Sequence, residues 1–102
     1  MVRSYRSRHE IIVDILRVAF RGAKKTHIMQ GANLNPSMFR KYFPMLLENG
    51  LIVKKDDPDG GFLYGLSDEG KEFLKTYRSL RSKLGGEIKE EFTYARALWK
   101  DR

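Results

Sequence analysis

The side chains best placed to do chemistry in this sequence are cations. Lys24-Lys25, Arg40-Lys41 and Lys54-Lys55 stand as adjacent pairs, and Arg3, Arg6 and Arg8 precede them with Tyr5 in between. Guanidinium and ammonium groups in this pattern make and break no bonds; they hold anionic oxygens, phosphates above all. The remaining titratable groups assemble no reaction centre. His9 and His27 are the only histidines, and no nucleophile, base and acid are spaced to converge on either. Each reads as a capping or surface residue. Asp56, Asp57 and Asp59 crowd one loop but lack the twelve-residue spacing and closing Glu of a calcium loop. Gly60-Gly61 and Gly85-Gly86 lack the Lys and helix that a phosphate loop requires. The absence of Cys removes disulfides, thiol chemistry and Cys-based zinc sites. No enzyme activity, metal, cofactor or small-molecule effector is expected.

The charge is unevenly placed. The 102 residues carry a formal +7, but residues 1–55 hold eleven basic and three acidic side chains, and the remainder nine and ten. The first half is therefore +8 and the second −1. Such a surplus favours polyanions, nucleic acid first and an anionic membrane surface second. A chain of this length forms one small domain with room for an appended helix. The longest apolar run, 42–47, has six residues and includes Pro44, too short for a membrane span. No apolar stretch follows the N-terminal arginines, so no signal peptide is expected. These features predict a soluble, cytoplasmic, nucleoid-associated protein without membrane contact.

The elements that must position the cations follow from local patterns. Ser7 and Glu10 form a capping box. Behind it, Ile11, Ile12, Ile15, Leu16, Ala19 and Phe20 make one helical face, with Asp14, Arg17 and Arg21 on the other and Gly22 ending the helix. Thr26 is the candidate cap of a short second helix bearing Ile28, Met29 and Ala32, and Leu34 is an apolar plug in the turn that follows. Asn35-Pro36 opens a third helix with a good N-cap and a proline where its missing N–H costs nothing. Phe39, Phe43, Leu46 and Leu47 form its expected buried stripe, leaving Ser37, Met38, Arg40, Lys41, Pro44 and Met45 outside. Pro44 predicts a kink or restart near Phe43, because an interior proline removes a backbone bond and clashes with the carbonyl four residues back. Leu51–Lys55 and Phe62–Leu66 read as the strands of a hairpin around a turn-rich 56–61, and Ser67 caps a last helix.

In that helix Phe73, Tyr77, Leu80 and Leu84 are spaced 4, 3, 4, and Ile88, Phe92, Ala95 and Trp99 repeat the spacing beyond Gly85-Gly86. Either one helix runs through the two glycines or they separate two helices. Their combined cost of about 2 kcal/mol relative to alanine favours a bend. A stripe this long exceeds what a core of some seventy residues covers, which points to pairing between subunits. The expected organisation is a basic arm at 1–8, a domain at 9–70 and a pairing helix or helix pair at 71–102.

Helix, helix, turn, helix, hairpin, helix is a winged helix-turn-helix order, a mainly α fold with a small β-hairpin (α+β). The segments Thr26-His27-Ile28-Met29, Ala32-Asn33-Leu34-Asn35, Glu48-Asn49-Gly50-Leu51-Ile52 and Tyr64-Gly65-Leu66-Ser67-Asp68-Glu69-Gly70 carry the likeness, with Tyr42 and Leu46 between. The Gly-Leu-Ile step and the Leu-Ser-x-x-Gly exit recur across winged-helix proteins, and the stretch from Thr26 to Leu34 is more particular. Over residues 9–84 the chain resembles the archaeal winged-helix family of small DNA-binding proteins and predicted transcriptional regulators. The resemblance implies double-stranded DNA as partner and a homodimer joined by a C-terminal antiparallel coiled coil. Pro44 and the acidic wing tip depart from the family pattern.

On this reading Arg6 and Arg8 of the arm, Lys24 and Lys25 before the second helix, Ser37, Arg40 and Lys41 on the third, and Lys54 and Lys55 at the wing base contact DNA. The subunit interface takes Phe73, Tyr77, Leu80, Leu84, Ile88, Phe92 and Trp99. Three carboxylates oppose any approach of the wing tip to phosphates. Two alternatives stay open: a winged-helix protein-interaction module within a larger assembly, which the acidic tip favours, and an RNA-binding winged helix.

Overall fold

The structure, a computed structural model, describes residues 6–84. Its elements run α1 (Arg8–Ala19), α2 (Lys25–Gly31), α3 (Pro36–Glu48), β1 (Ile52–Asp56), β2 (Phe62–Leu66) and α4 (Asp68–Lys83). The expected order holds throughout this stretch. The readings that fall on Arg3, Tyr5, Ile88, Phe92, Trp99 and the bend at 85–86 lie outside the described residues.

Local caps start three of the four helices. Ser7 Oγ accepts from the Glu10 amide at 3.1 Å while the Glu10 carboxylate accepts from the Ser7 amide at 3.0 Å, so two orphan donors of α1 are satisfied reciprocally. Asn35 Oδ1 accepts from the Met38 amide, with Pro36 as the first helical residue. Ser67 Oγ accepts from the Gly70 amide, and its hydroxyl donates to the Gly50 carbonyl. That second bond ties the start of α4 to the end of α3.

α1 is the central strut. It touches α2, α3, α4 and β2, and Ile11, Val13, Ile15, Leu16 and Ala19 are all buried. Val13, which lies off the expected stripe, is covered because α1 is packed on more than one side. Phe20 corrects the expectation in the other direction. It caps α1 and is 48% exposed, because the chain has already begun the turn to Gly22.

α2 starts at Lys25, so its cap residue is Lys24, two positions before the expected cap Thr26. The cause is tertiary: Ala23 exchanges both backbone hydrogen bonds with Tyr64 and so acts as a one-residue third strand beside the hairpin. The turn into α3 uses Asn33 in the left-handed conformation, φ 57°, which asparagine tolerates well. Leu34 is buried there, as its position between two asparagines suggests.

α3 runs unbroken from Pro36 to Glu48, so the expected restart near Phe43 does not occur. Pro44 sits on the solvent side, and the buried residues Phe43 and Leu46 anchor the helix on both sides of it. The buried stripe is Phe39, Tyr42, Phe43 and Leu46; Tyr42 takes the place expected for Leu47, which is half-buried like Met38 and Met45. β1 begins at Ile52 and pairs antiparallel with β2, Ile52 opposite Leu66 and Lys54 opposite Tyr64.

Candidate nucleic-acid interface

Phe43 is the pivot that fixes α3 against the rest of the domain. Its ring stacks on Phe39 at 4.6 Å and meets Tyr64 of β2 edge-on at 5.0 Å, so one buried aromatic couples α3 to the hairpin. With that face buried, the opposite side of α3 must face solvent. Ser37, Arg40, Lys41 and Pro44 are exposed along it.

Lys25 joins them from α2. It lines a shallow hollow of about 260 Å³ with Met29, Pro36, Phe39, Arg40, Phe43 and Pro44, and its ammonium lies 5.9 Å from the Phe43 ring centre. Lys41 lies 5.4 Å from the Tyr42 ring. Both lysines rest their stems on aromatic surface and keep their charge outside. Between Gly22 and Gly50 the only carboxylate is Glu48, at the far end of α3. The field over the α2–α3 surface is accordingly positive.

The hairpin contributes through its register. Side chains directly opposite one another share a sheet face, so Ile52, Leu66, Lys54, Tyr64, Asp56 and Phe62 lie on one face. At the base that face packs inward through Tyr64 onto Phe43. Toward the tip the same face carries Lys54, whose ammonium stands 4.1 Å above the centre of the exposed Phe62 ring. Lys54 therefore belongs to the α3 side of the wing, and Lys55, paired with Leu63, to the other face.

Two expected contact residues are engaged within the chain. Arg6 forms an ion pair with Asp14 at 2.8 Å and donates to the carbonyls of Ala32 and Asn33 at 2.7 and 2.8 Å. It thus staples the end of the arm, where it enters α1, to the turn between α2 and α3. Lys24 reaches the wing instead, with Nζ 2.9 Å from Asp57 Oδ2 and 3.0 Å from the Gly60 carbonyl. Asp57 is held below its ordinary value of 3.8, first by that hydrogen bond and then by the Asp59 amide. The acidic tip is therefore partly neutralised from within. Arg8 opens α1 in an exposed position, beside the arm.

A second cationic surface has no counterpart in the sequence reading. A groove of about 580 Å³ between α1 and α4 is lined by Arg17, Val18, Phe20, Arg21, Lys71, Leu74, Lys75 and Arg78. Five cations surround an apolar floor there. The signal was present in Phe20, Arg21 and Lys75, but only the packing of α4 on α1 brings them together.

The sequence pattern of the winged helix-turn-helix family matches residues 5–85. The chain is also 38% identical over 79 residues to an uncharacterized protein of Methanocaldococcus jannaschii, a stretch covering 76% of this chain and 73% of that one. The chain belongs to the winged helix-turn-helix family. Among solved structures it is similar to Sso10a-2, a DNA-binding protein from Sulfolobus solfataricus, with a TM-score of 0.70 and 24% identity over 94% of this chain and 95% of the other. It is similar as well to a mutant of MepR from S. aureus, TM-score 0.65 at 13% identity, over 93% and 76% of the two chains. The PcaV transcriptional regulator from Streptomyces coelicolor gives 0.55 at 22%, over 99% and 77%. At such identities the likeness speaks for the fold.

Proposed function

We propose that this chain binds double-stranded DNA as a homodimer and acts as a transcriptional regulator or chromatin-type protein, with α3 in the major groove. The observation that carries this reading is the solvent face of α2 and α3, where Lys25, Ser37, Arg40 and Lys41 lie together with a single carboxylate, Glu48, at the distal end. Arg40 and Lys41 suit guanine edges or phosphates, and Ser37 near the start of α3 suits a phosphate. Lys54, on the α3 side of the wing, and Lys55 and Arg8 supply further phosphate contacts. Pairing of subunits falls to Leu80 and Leu84, exposed beyond the point where Phe73 and Tyr77 pack on the domain, together with Ile88, Phe92 and Trp99 of the same sequence pattern. The fold shared with a protein described as DNA-binding and with a transcriptional regulator supports the same reading. Among the described residues no helix is long and apolar enough to cross a membrane.

The test is fluorescence anisotropy with a labelled duplex across a salt series. A log–log slope of about −4 to −8 is expected for a dimer making that many phosphate contacts. Arg40→Ala with Lys41→Ala should weaken binding at every salt concentration, and structured RNA should compete poorly. Salt-independent or undetectable binding overturns the reading, and preferred binding of the RNA converts it to an RNA-binding winged helix.

A protein-interaction module is the second reading, favoured by the groove between α1 and α4 with Phe20 exposed among five cations. Under it, Arg21→Glu with Lys75→Glu abolishes partner capture while the Arg40 and Lys41 substitutions leave it intact.

A further inference from the structure

We propose that Lys24 is the positioning residue of the wing, its ammonium holding the loop 57–61 against the start of α2, and that it is not a phosphate contact. The loop is built around Asp57. Asp57 Oδ1 accepts from the Asp59 amide at 3.1 Å, the Gly60 amide donates to the Asp57 carbonyl at 2.8 Å, and the Asp57 amide donates to the Gly61 carbonyl at 3.0 Å. Gly60 and Gly61 have φ of 112° and 76°, conformations that let the chain fold back and that side-chain-bearing residues rarely adopt. These bonds close the loop on itself but anchor it to nothing else. The anchor is Lys24, which spends two of its three ammonium protons on Asp57 Oδ2 and the Gly60 carbonyl.

The tie acts together with a backbone hinge. Ala23, the preceding residue, pairs with Tyr64 through both hydrogen bonds, so the base of the hairpin is fixed at Ala23 and its tip at Lys24. Two points of attachment define an orientation where one leaves a rotation. Because Lys54 and Phe62 lie on the face that looks toward α3, the orientation of the hairpin sets where the Lys54 charge stands relative to Arg40 and Lys41. Asp57 in this arrangement is the acceptor of the tie. It also explains how a loop with three aspartates can sit beside a cationic surface, since one carboxylate is turned to a lysine of the domain itself.

The proposal rests on the duplex-DNA reading for its effect on affinity, and the two can fail separately. Lys24→Met and Asp57→Asn are compared with Lys41→Ala by anisotropy across a salt series. If Lys24 positions the wing, both substitutions weaken binding by a similar factor of about two to five per protomer, the size of one exposed ion pair. The double variant is then no weaker than either single one. The salt slope stays at the wild-type value, whereas Lys41→Ala lowers its magnitude by about one per protomer. If Lys24 is a phosphate contact, the two substitutions act in opposite directions. Lys24→Met lowers the slope, and Asp57→Asn tightens binding by releasing the lysine and removing a negative charge; either result overturns the proposal. Amide exchange without DNA isolates the tie from the function. Faster exchange at Gly60 in both variants, with Tyr64 unchanged, supports the tie even if the wild-type protein binds no duplex. Unchanged exchange at Gly60 overturns it.

Discussion

Gly70 stands in the first turn of α4 with no room for a side chain. A Cβ there would press into the carbonyl of Leu51, a backbone atom held by its own hydrogen bond from Ser67, and against Leu66. Gly70→Ala is therefore expected to destabilise the domain by about 2–3 kcal/mol, as overpacking against an immovable neighbour does. In thermal unfolding this lowers Tm by at least about 8 °C for a domain of this size. Gly31 is the milder case. A Cβ at Gly31 comes within 2.9 and 3.0 Å of the two methyls of Val18, a stiff β-branched side chain that must give way. A helix-propensity gain of at most about 1 kcal/mol offsets only part of that cost, so Gly31→Ala should lower Tm, by less than Gly70→Ala does. A second expectation at this scale concerns Asp57. Its carboxyl is held below 3.8 by the Lys24 ammonium, so the folded form favours the ionised state. A depressed folded value contributes stability above the ordinary value and loses it as pH falls through the lowered one. The NMR shifts of Gly60 should accordingly follow the Asp57 titration with a midpoint below 3.8. Lys24→Met should raise that midpoint toward 3.8.

At the scale of elements, what was legible in the sequence is what is decided locally. The capping pairs Ser7–Glu10 and Asn35–Met38, the Ser67 cap and the bounds of β2 depend on residues within three or four positions of one another, and each stands where its spacing places it. Misreadings occur where distant chain decides. α2 begins at Lys25 because Ala23 is caught by Tyr64, 41 positions away, and Lys24 turns to Asp57, 33 positions away. No local pattern encodes either partner. Tyr42 displaces Leu47 from the core because periodicity gives a stripe but not the side on which neighbours crowd it. The basic face of α3 was legible for the same reason as the caps: once Phe39, Phe43 and Leu46 are assigned inward, Arg40 and Lys41 must point out. Pro44 shows the limit of a local rule overridden by packing. The helix continues through it, held by Phe43 and Leu46, yet the backbone bond to Arg40 is lost. Pro44→Ala restores that bond and should stabilise the domain by about 1–2 kcal/mol once the stiffer unfolded chain of the proline is set against the gain. Circular dichroism melts would show this as a higher Tm, with duplex affinity within about twofold of wild type. A lower Tm would mean that the ring fills the hollow beside Lys25 and Arg40.

Over the whole molecule, the surplus of positive charge is concentrated in the first half of the chain. The +8 of the first 55 residues is spread over the arm, the α2–α3 face, the wing base and the α1 side of the second groove, while the second half is close to neutral overall. α4 divides along its own length. Leu74 is buried and Phe73 and Tyr77 are half-buried against the domain, whereas Leu80 and Leu84 are 48% and 37% exposed. The stripe thus continues past the point where the domain covers it. Burying a leucine contributes about 1.5–3 kcal/mol, so two left in water on a regular helix face leave a driving force for association. Replacing both with glutamate separates pairing from folding, because neither side chain supports the core. Leu80→Glu with Leu84→Glu should convert a dimer to a monomer in sedimentation equilibrium while leaving the melting of the dilute protein nearly unchanged. Duplex affinity should then fall and the salt slope should halve, since one protomer offers half the phosphate contacts of two. A wild-type monomer, or a double variant that stays dimeric, would place the subunit contact elsewhere than on α4.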